Sequence, residues 1–336
     1  MPMVLRFLCA IIRKEKRVLS GPPVLGMALL LMALPLGLGH AASTTLAPNG
    51  VDDTAAVKAA LALGTVQLPP GAWHFCGLHI ASDNTLTGFR SSIVYPTATC
   101  AATYLIGSQD PNVHNVTIEG FTIYGGSGNG SSLIDGIHFD NTGYTTNRGH
   151  IHIRDMEITG LSGTCLYMNM TDESIIADNN IEHCGVNAGF ISSPDSQISD
   201  NSFGASGQEA LLIHGGGPMN FGPTKVWMAG LGSANYAGVR CVWNCAGLQF
   251  SALETQDNGG PGLLIEGSTA AVVHMRSDSD NGSGQAVAAV VLQSTTNSAI
   301  NVNASHREGG RGSVPMAVSR DEASTGNAIH STGAIK

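Results

Sequence analysis

The residues best suited to chemistry lie in one short segment, Asp135-Gly-Ile-His138-Phe-Asp140. Side chains alternate between the two faces of a strand, so His138 and Asp140 share one face while Ile137 and Phe139 take the other. A second segment, Cys165-Leu-Tyr167-Met-Asn169, has the same form and offers Tyr167 and Asn169 at the matching positions. If the two strands lie side by side, His138 and Tyr167 are neighbours about 4.8 Å apart, with Asp140 two residues along. An imidazole and a phenol beside a carboxylate can move a proton at one carbon, either as base and the other as acid. The bland reading of the same residues is a solvated histidine and a tyrosine covering the strand face.

Three further segments repeat the form: Gly189-Phe-Ile-Ser-Ser193, Ala210-Leu-Leu-Ile-His214 and Gly262-Leu-Leu-Ile-Glu266. Aligned on their first residues, they extend one outward column as His138, Tyr167, Ile191, Leu212 and Arg240, and a second as Asp140, Asn169, Ser193, His214, Val242 and Glu266. His138, Tyr167, Asp140 and His214 are the expected catalytic residues, and Asp135, Asn169, Glu209 and Arg240 the expected substrate contacts. By parity Asp135 faces away from Asp140, unless it lies in the turn before the strand. Glu209 stands about three coils further, roughly 14 Å at the usual strand spacing. That exceeds the separations of about 5–5.5 Å or 6.5–9.5 Å that paired carboxylates need for glycoside hydrolysis. β-Elimination or epimerisation at a uronate carbon suits the set better, with Arg154, Arg240 or a cation to neutralise the uronate.

Asp155, Asp178 and Asp200 form another candidate group, each two residues after an apolar residue, Ile153, Ile176 or Ile198. Stacked carboxylates raise one another's pKa unless they are hydrogen-bonded or share a cation. Calcium suits such an oxygen set and is the one cofactor the sequence suggests. The competing reading makes them turn residues that accept backbone N–H bonds. Asp278 and Asp280, in Arg276-Ser-Asp-Ser-Asp-Asn-Gly, read as turn residues too.

A repeat must position all of these. The pattern apolar-x-apolar-x-x-x-x-apolar recurs in Val116-Thr-Ile118-Glu-Gly-Phe-Thr-Ile123, Ile151-His-Ile153-Arg-Asp-Met-Glu-Ile158, Ser174-Ile-Ile176-Ala-Asp-Asn-Asn-Ile181 and Ser196-Gln-Ile198-Ser-Asp-Asn-Ser-Phe203, and more loosely around Met228, Phe250, Met275 and Val302. With the second strand between the anchors, each unit carries at least two short strands and Gly- or Asn-rich turns. Such a unit cannot bury its own apolar side, so the coils must stack as a parallel solenoid. Asp52-Asp-Thr-Ala-Ala-Val-Lys-Ala-Ala-Leu-Ala-Leu63 predicts a short helix over about 52–63 that plugs the first coil, with Asp52 or Asp53 as N-cap. Loops at 125–132, 141–149 and 215–223 would wall a groove beside the candidate site.

Asn49-Gly-Val-Asp-Asp-Thr-Ala-Ala-Val-Lys-Ala-Ala-Leu61 followed by Gly64-Thr-Val-Gln-Leu-Pro-Pro-Gly-Ala-Trp73 resembles the opening of the pectate-lyase-like β-helix superfamily, which includes polygalacturonases, rhamnogalacturonases, epimerase-like lyases and phage tailspikes. The resemblance implies an all-β, single-stranded right-handed parallel β-helix. It implies a carbohydrate-active protein, and says little about the reaction because members differ in their sites. Asp135-Gly136-Ile137 is similar to part of the polygalacturonase Asn-Thr-Asp-Gly segment. Ile134 replaces its Thr, Gly163-Thr-Cys165 stands where that family has paired aspartates, and no Gly-His-Gly follows. A lyase or epimerase-like enzyme is therefore expected, with a hydrolase of the same fold or a non-catalytic glycan-binding protein as rivals. The last would need rows of aromatic rings, and aromatic residues are only 5% of the chain.

Composition agrees with the repeat: 12% charged residues and 43 glycines suit short strands and tight turns. Residues 1–42 read as a secretion signal, with Arg6, Arg13, Lys14, Lys16 and Arg17 before an apolar stretch near 24–38, and residues 43–336 as a single domain. A secreted or periplasmic protein is expected. Without the signal, 11 basic residues face 24 acidic ones, a formal −13. That balance excludes nucleic acid and anionic membrane surfaces as partners. A polysaccharide is the expected partner, with no stable membrane insertion after signal cleavage and a monomer or homotrimer as the assembly. Cys76, Cys100, Cys165, Cys184, Cys241 and Cys245 remain, enough for three disulfides.

Overall fold

The computed structural model describes residues 46–126, 133–143, 149–215, 217–230, 233–282, 288–312 and 316–332. The expected signal, most of the loops at 125–132 and 141–149, and Gly216 within the third loop lie outside the described residues.

Every strand pairs in parallel with its counterpart one coil away. Ile118 pairs with Ile153, Ile153 with Ile176 and Ile176 with Ile198, and all four are fully buried in one interior row. The row continues through Phe221, Phe250, Val273, Ile300 and Ile329. The looser anchors therefore fall into place only in part. Phe250 belongs to this row, Met275 and Val302 to the next interior row, and Met228 to a turn at positive φ. A residue such as Ile153, buried from all sides, contributes about 1.5–3 kcal/mol through burial alone.

Among the described residues one sheet has ten strands, one per coil, including Tyr104–Ser108, Asp135–Asp140, Leu166–Asn169, Gly189–Ser192, Leu211–His214, Val239–Val242 and Leu263–Glu266. The rest of each early coil has two strands separated by a corner, as in Gly149–Arg154 and Glu157–Thr159. The corner residues are Gly120, Asp155, Asp178 and Asp200, all with φ between 53° and 83°. Glycine adopts that left-handed conformation freely, and Asp tolerates it better than most side chains. In the next coil Pro223 accepts the hydrogen bond from Asp200 N at the same place. Its ring holds φ negative and cannot make the corner. The two stacks accordingly merge at Asn220–Trp227, which pairs with both Gln197–Ser199 and Asn201–Gly204. Later coils carry one long strand there, Gln249–Gln256, Val272–Asp278 and Ala299–Ser305.

Inside the corner, Asn179 and Asn201 form a buried ladder. Asn179 Nδ2 donates to Ile153 O at 3.0 Å and to Asn201 Oδ1 at 2.9 Å, while its Oδ1 accepts from Met156 N at 3.0 Å. Asn201 Nδ2 donates to Ile176 O at 2.8 Å.

The helix spans Thr54–Leu61 and turns Val57 and Leu61 into the core. Asp53 stands at the N-cap position without capping through its side chain. Its carboxylate accepts from Asn49 N at 2.8 Å and His74 N at 2.9 Å, tying the entering chain to the first coil, and Asp52 Oδ1 accepts from Thr54 N at 2.9 Å. The cysteines pair with their sequence neighbours, Cys76 with Cys100, Cys165 with Cys184 and Cys241 with Cys245.

Candidate functional site

The outer face of the ten-stranded sheet carries the candidate residues. Register places Gly107, His138, Tyr167, Phe190, Leu212 and Arg240 in one outward column. A second column holds Asp140, Asn169 and Ser192, and His214 pairs with Val242. Two expected positions are corrected. Ile191 points inward and is fully buried, and Ser193 lies past the strand end, so Phe190 and Ser192 take their places.

Asp135 opens the strand Asp135–Asp140 instead of lying in a turn before it, and its carboxylate nevertheless reaches His138. Its Oδ2 lies 2.8 Å from His138 Nδ1, and its Oδ1 accepts from Thr164 N at 2.7 Å. A carboxylate only accepts, so Nδ1 carries a proton, and in the neutral imidazole the lone pair is then on Nε2. Nothing among the described residues hydrogen-bonds Nε2. Side-chain exposures of 13% for His138 and 19% for Asp135 leave the pair reachable and partly shielded.

His138 stacks on Tyr167 with ring centroids 4.3 Å apart and planes 5° from parallel. On its other side Tyr104 stacks at 5.5 Å and 17°. Gly107 lets the two strands approach here, since a Cβ there would lie 1.8 Å from the His138 carbonyl oxygen. Burial, reinforced by the charges of Asp140 and Asp135, pushes the Tyr167 phenol up to about 12. Burial also raises Tyr104. Asp140 Oδ1 accepts from Thr142 N at 3.0 Å, Thr142 Oγ1 at 2.6 Å and Asn169 Nδ2 at 3.0 Å.

The stack runs on: Tyr167 to Phe190 at 4.5 Å and 8°, Phe190 to His214 at 6.0 Å, His214 to Trp243 at 5.7 Å. Six rings thus share one wall in a chain with few aromatics. Only the strand register reveals the row, because its members are 23 to 34 residues apart in sequence. His138, Tyr167, Asp135, Asp140 and Asn169 come together. His214 does not join them, being separated from His138 by Tyr167 and Phe190.

Glu209, Arg240 and Glu266 form a separate ion cluster. Arg240 lies 3.3 Å from Glu209 Oε1 and 3.2 Å from Glu266 Oε1. The Glu209 carboxyl, 3% exposed, is raised by burial against the pull of Arg240. Arg154 pairs with Glu119 at 2.7 Å on another face. Both arginines expected to meet a substrate carboxylate are therefore already committed.

Asp155, Asp178 and Asp200 are the positive-φ corner residues, and Asp155 pairs with Arg90 at 2.7 Å. No group of three or more His, Cys, Asp or Glu among the described residues is arranged to hold a metal ion. Backbone geometry accounts for these aspartates, in place of the expected calcium row. Asp280 is no surface turn residue either. It is fully buried and accepts from Thr255 Oγ1, Ser277 Oγ and Asn258 Nδ2, and burial lifts its carboxyl to about 6.

A groove of about 810 Å³ lies on a different face, where the two strand stacks merge. Its cations are partnered, Lys225 with Glu254 at 3.7 Å, Arg276 with Asp278 at 3.7 Å and Arg90 with Asp155 at 2.7 Å, and none of its described lining residues forms a carboxylate–imidazole pair like Asp135 and His138.

No family model matches the sequence, and no curated protein matches it. Solved structures do. The A-module of a mannuronan C-5 epimerase from Azotobacter vinelandii aligns with a TM-score of 0.58 at 18% identity, over 86% of this chain and 97% of that one. The enzymatically active domain of tailspike protein 2 from bacteriophage CBA120 gives 0.66 at 16% identity, over 84% of this chain and 45% of that one. A DFA-IIIase from Arthrobacter chlorophenolicus A6 gives 0.58 at 12%, over 86% and 92%. This chain is a right-handed parallel β-helix. The right hand is also what parallel strands joined by crossovers adopt. Among the described residues no helix is long and apolar enough to cross a membrane.

Proposed function

We propose that the protein is an exported carbohydrate-active enzyme that cleaves a uronate-containing polysaccharide by β-elimination on the ten-stranded wall. The observation that carries this reading is the 2.8 Å contact of Asp135 with His138 Nδ1, with the Tyr167 ring stacked 4.3 Å away. Asp135 orients the imidazole and, in the neutral ring, holds the proton on Nδ1, so that the Nε2 lone pair faces the groove. Nε2 takes the proton from C5 of the uronate, the C5 electron pair forms the C4–C5 double bond, and the bond from C4 to the glycosidic oxygen breaks. Tyr167, protonated up to about 12, gives its proton to that oxygen. Proton return from imidazolium to phenolate resets the pair.

Both groups project from one wall, which fits removal and delivery on the same sugar face. Epimerisation needs a second proton donor on the opposite sugar face, whereas the His138–Tyr167 pair on one wall suffices for elimination, which is therefore preferred to the reaction named for the Azotobacter neighbour. With Arg154 and Arg240 engaged by glutamates, the uronate carboxylate would be neutralised by a cation that arrives with the substrate.

That last feature also favours a second reading, hydrolysis of a neutral glycan, for which the acidic wall needs no counter-charge. One experiment separates them. The full-length protein is incubated with mannuronan, polygalacturonate and neutral glucans, with and without chelator, and both ultraviolet-absorbing unsaturated ends and new reducing ends are followed. Elimination gives both signals on a uronan. His138→Ala and Tyr167→Phe should each lower it by about 10²-fold or more. Reducing ends without absorbance would establish hydrolysis, and unchanged turnover in both variants would remove these residues from the mechanism.

A further inference from the structure

We infer that Trp243 is a distal sugar platform of this wall, presenting an open indole face to a pyranose ring of a glycan whose reacting bond lies at His138. The inference rests on the reading of the wall as a glycan site and adds where along it the polymer is gripped.

The inner rings of the row cannot serve in this way. His138, Tyr167 and Phe190 each have a ring stacked on both faces, at centroid distances of 4.3 to 6.0 Å, so only their edges reach the groove. A sugar stacks on a free aromatic face. Trp243 ends the row, tilted 30° from His214 and 76% exposed.

The flanking positions keep it open. Val242 pairs with His214 and Cys241 with Ile265, which sets Gly215 beside Trp243 on one coil and Gly267 on the other. A side chain built on Gly267 would meet nothing within 4 Å, so that side of the position is open space.

Folding alone does not account for this indole. Trp73 is fully buried and donates to Pro69 O at 2.9 Å, and Trp227 donates to Ser202 Oγ at 3.1 Å. Trp243 has neither a place in the core nor, among the described residues, a partner for Nε1. Its φ of 62° is that of the regular corner after this sheet's strands, shared by Met170, Gly267 and Ser294 at 49° to 65°, so the fold sets the backbone there and leaves the choice of side chain open.

Trp243 lies four coils from His138, about 19 Å at the usual strand spacing. Only a chain of roughly four sugars or more, at one sugar per coil, reaches both.

The test is equilibrium binding of hexameric and dimeric fragments of mannuronan, polygalacturonate and cellulose to wild-type protein, Trp243→Ala, Trp243→Phe and the remote exposed-site variant Leu63→Ser. For whichever hexamer wild type binds, Trp243→Ala should raise Kd about tenfold while Trp243→Phe raises it only about twofold. Leu63→Ser should match wild type, and the dimer should not distinguish Trp243→Ala from wild type. Equal hexamer affinity in Trp243→Ala and wild type overturns the platform and leaves the glycan reading standing. Unchanged affinity with an altered sedimentation coefficient would reassign Trp243 to a subunit contact. If wild type binds none of the fragments, the glycan reading itself falls, and the platform with it.

Discussion

At the scale of single residues the site turns on two protonation states fixed by neighbours. Asp135 selects the histidine tautomer, so Asp135→Asn, whose amide can donate as well as accept, should favour the wrong one. We expect at least about 10²-fold loss of kcat, as for a general base left misoriented, with a melting temperature close to wild type. Loss of activity in step with loss of folded protein would instead make Asp135 a structural residue. Tyr167 makes an independent prediction. Its phenol ionises near 10.0 in the unfolded chain and near about 12 in the folded one. Between those values the folded state holds more protons, so stability falls as pH rises through this window. An ultraviolet titration should show late phenolates, since Tyr104 is raised as well, and one of them should disappear in Tyr167→Phe. In Asp140→Asn it should shift to lower pH, since that charge is the second contributor after burial. A phenolate unmoved by Asp140→Asn would show that burial acts alone.

At the scale of elements the corner between the two early strand stacks is the most demanding piece of the fold, because a chain reversal is buried against the next coil. Asn179 satisfies Met156 N and Ile153 O there and accepts no substitute of the same shape with fewer polar atoms. Asn179→Ala should lower the unfolding free energy by about 2–4 kcal/mol, as expected for two buried backbone groups left unpaired. Urea denaturation measures it, and a loss below about 0.5 kcal/mol would mean that water replaces the amide. The ladder shows what was legible in the sequence. The anchors Ile118, Ile153, Ile176 and Ile198 carry the period openly, since interior positions admit few side chains. Gly189 misled the alignment. It reads as a strand start like Gly136, yet it pairs with Leu166 on the interior side, where a Cβ would come within 2.8 Å of the Phe203 ring. A one-residue slip exchanges the faces of a strand, so Ile191 was expected outside and Phe190 was overlooked. The aromatic row was lost with it. The Asp135–His138 contact was half legible, because the pattern puts the two on one strand, whereas the break in alternation at Gly136 and Ile137, both buried, is what brings Asp135 to the His138 face. The commitments of Arg154 and Arg240 were not legible at all, since their partners come from other coils.

At the scale of the whole molecule, charge and substrate pull against each other. The full chain carries a formal −9, and a uronan presents a carboxylate on every unit it contributes. Long-range repulsion should slow encounter at low ionic strength, and no uncommitted arginine on the described wall offsets it. Screening shortens the reach of that field from about 30 Å at 0.01 M salt to about 8 Å at 0.15 M. If the substrate is a uronan, KM should fall as monovalent salt rises across that range, the reverse of the weakening seen when a basic protein binds a polyanion. A neutral glucan has no field to screen and should show a flat response over the same series. The cation proposed to accompany the uronate adds a sharper form of the same test. At constant ionic strength, replacing sodium with a divalent ion should lower KM further, because a divalent ion pairs with the substrate carboxylate as well as screening it. If KM rises with salt on the active polymer, attraction outweighs repulsion, and a basic surface beyond the described wall must be taking up the substrate.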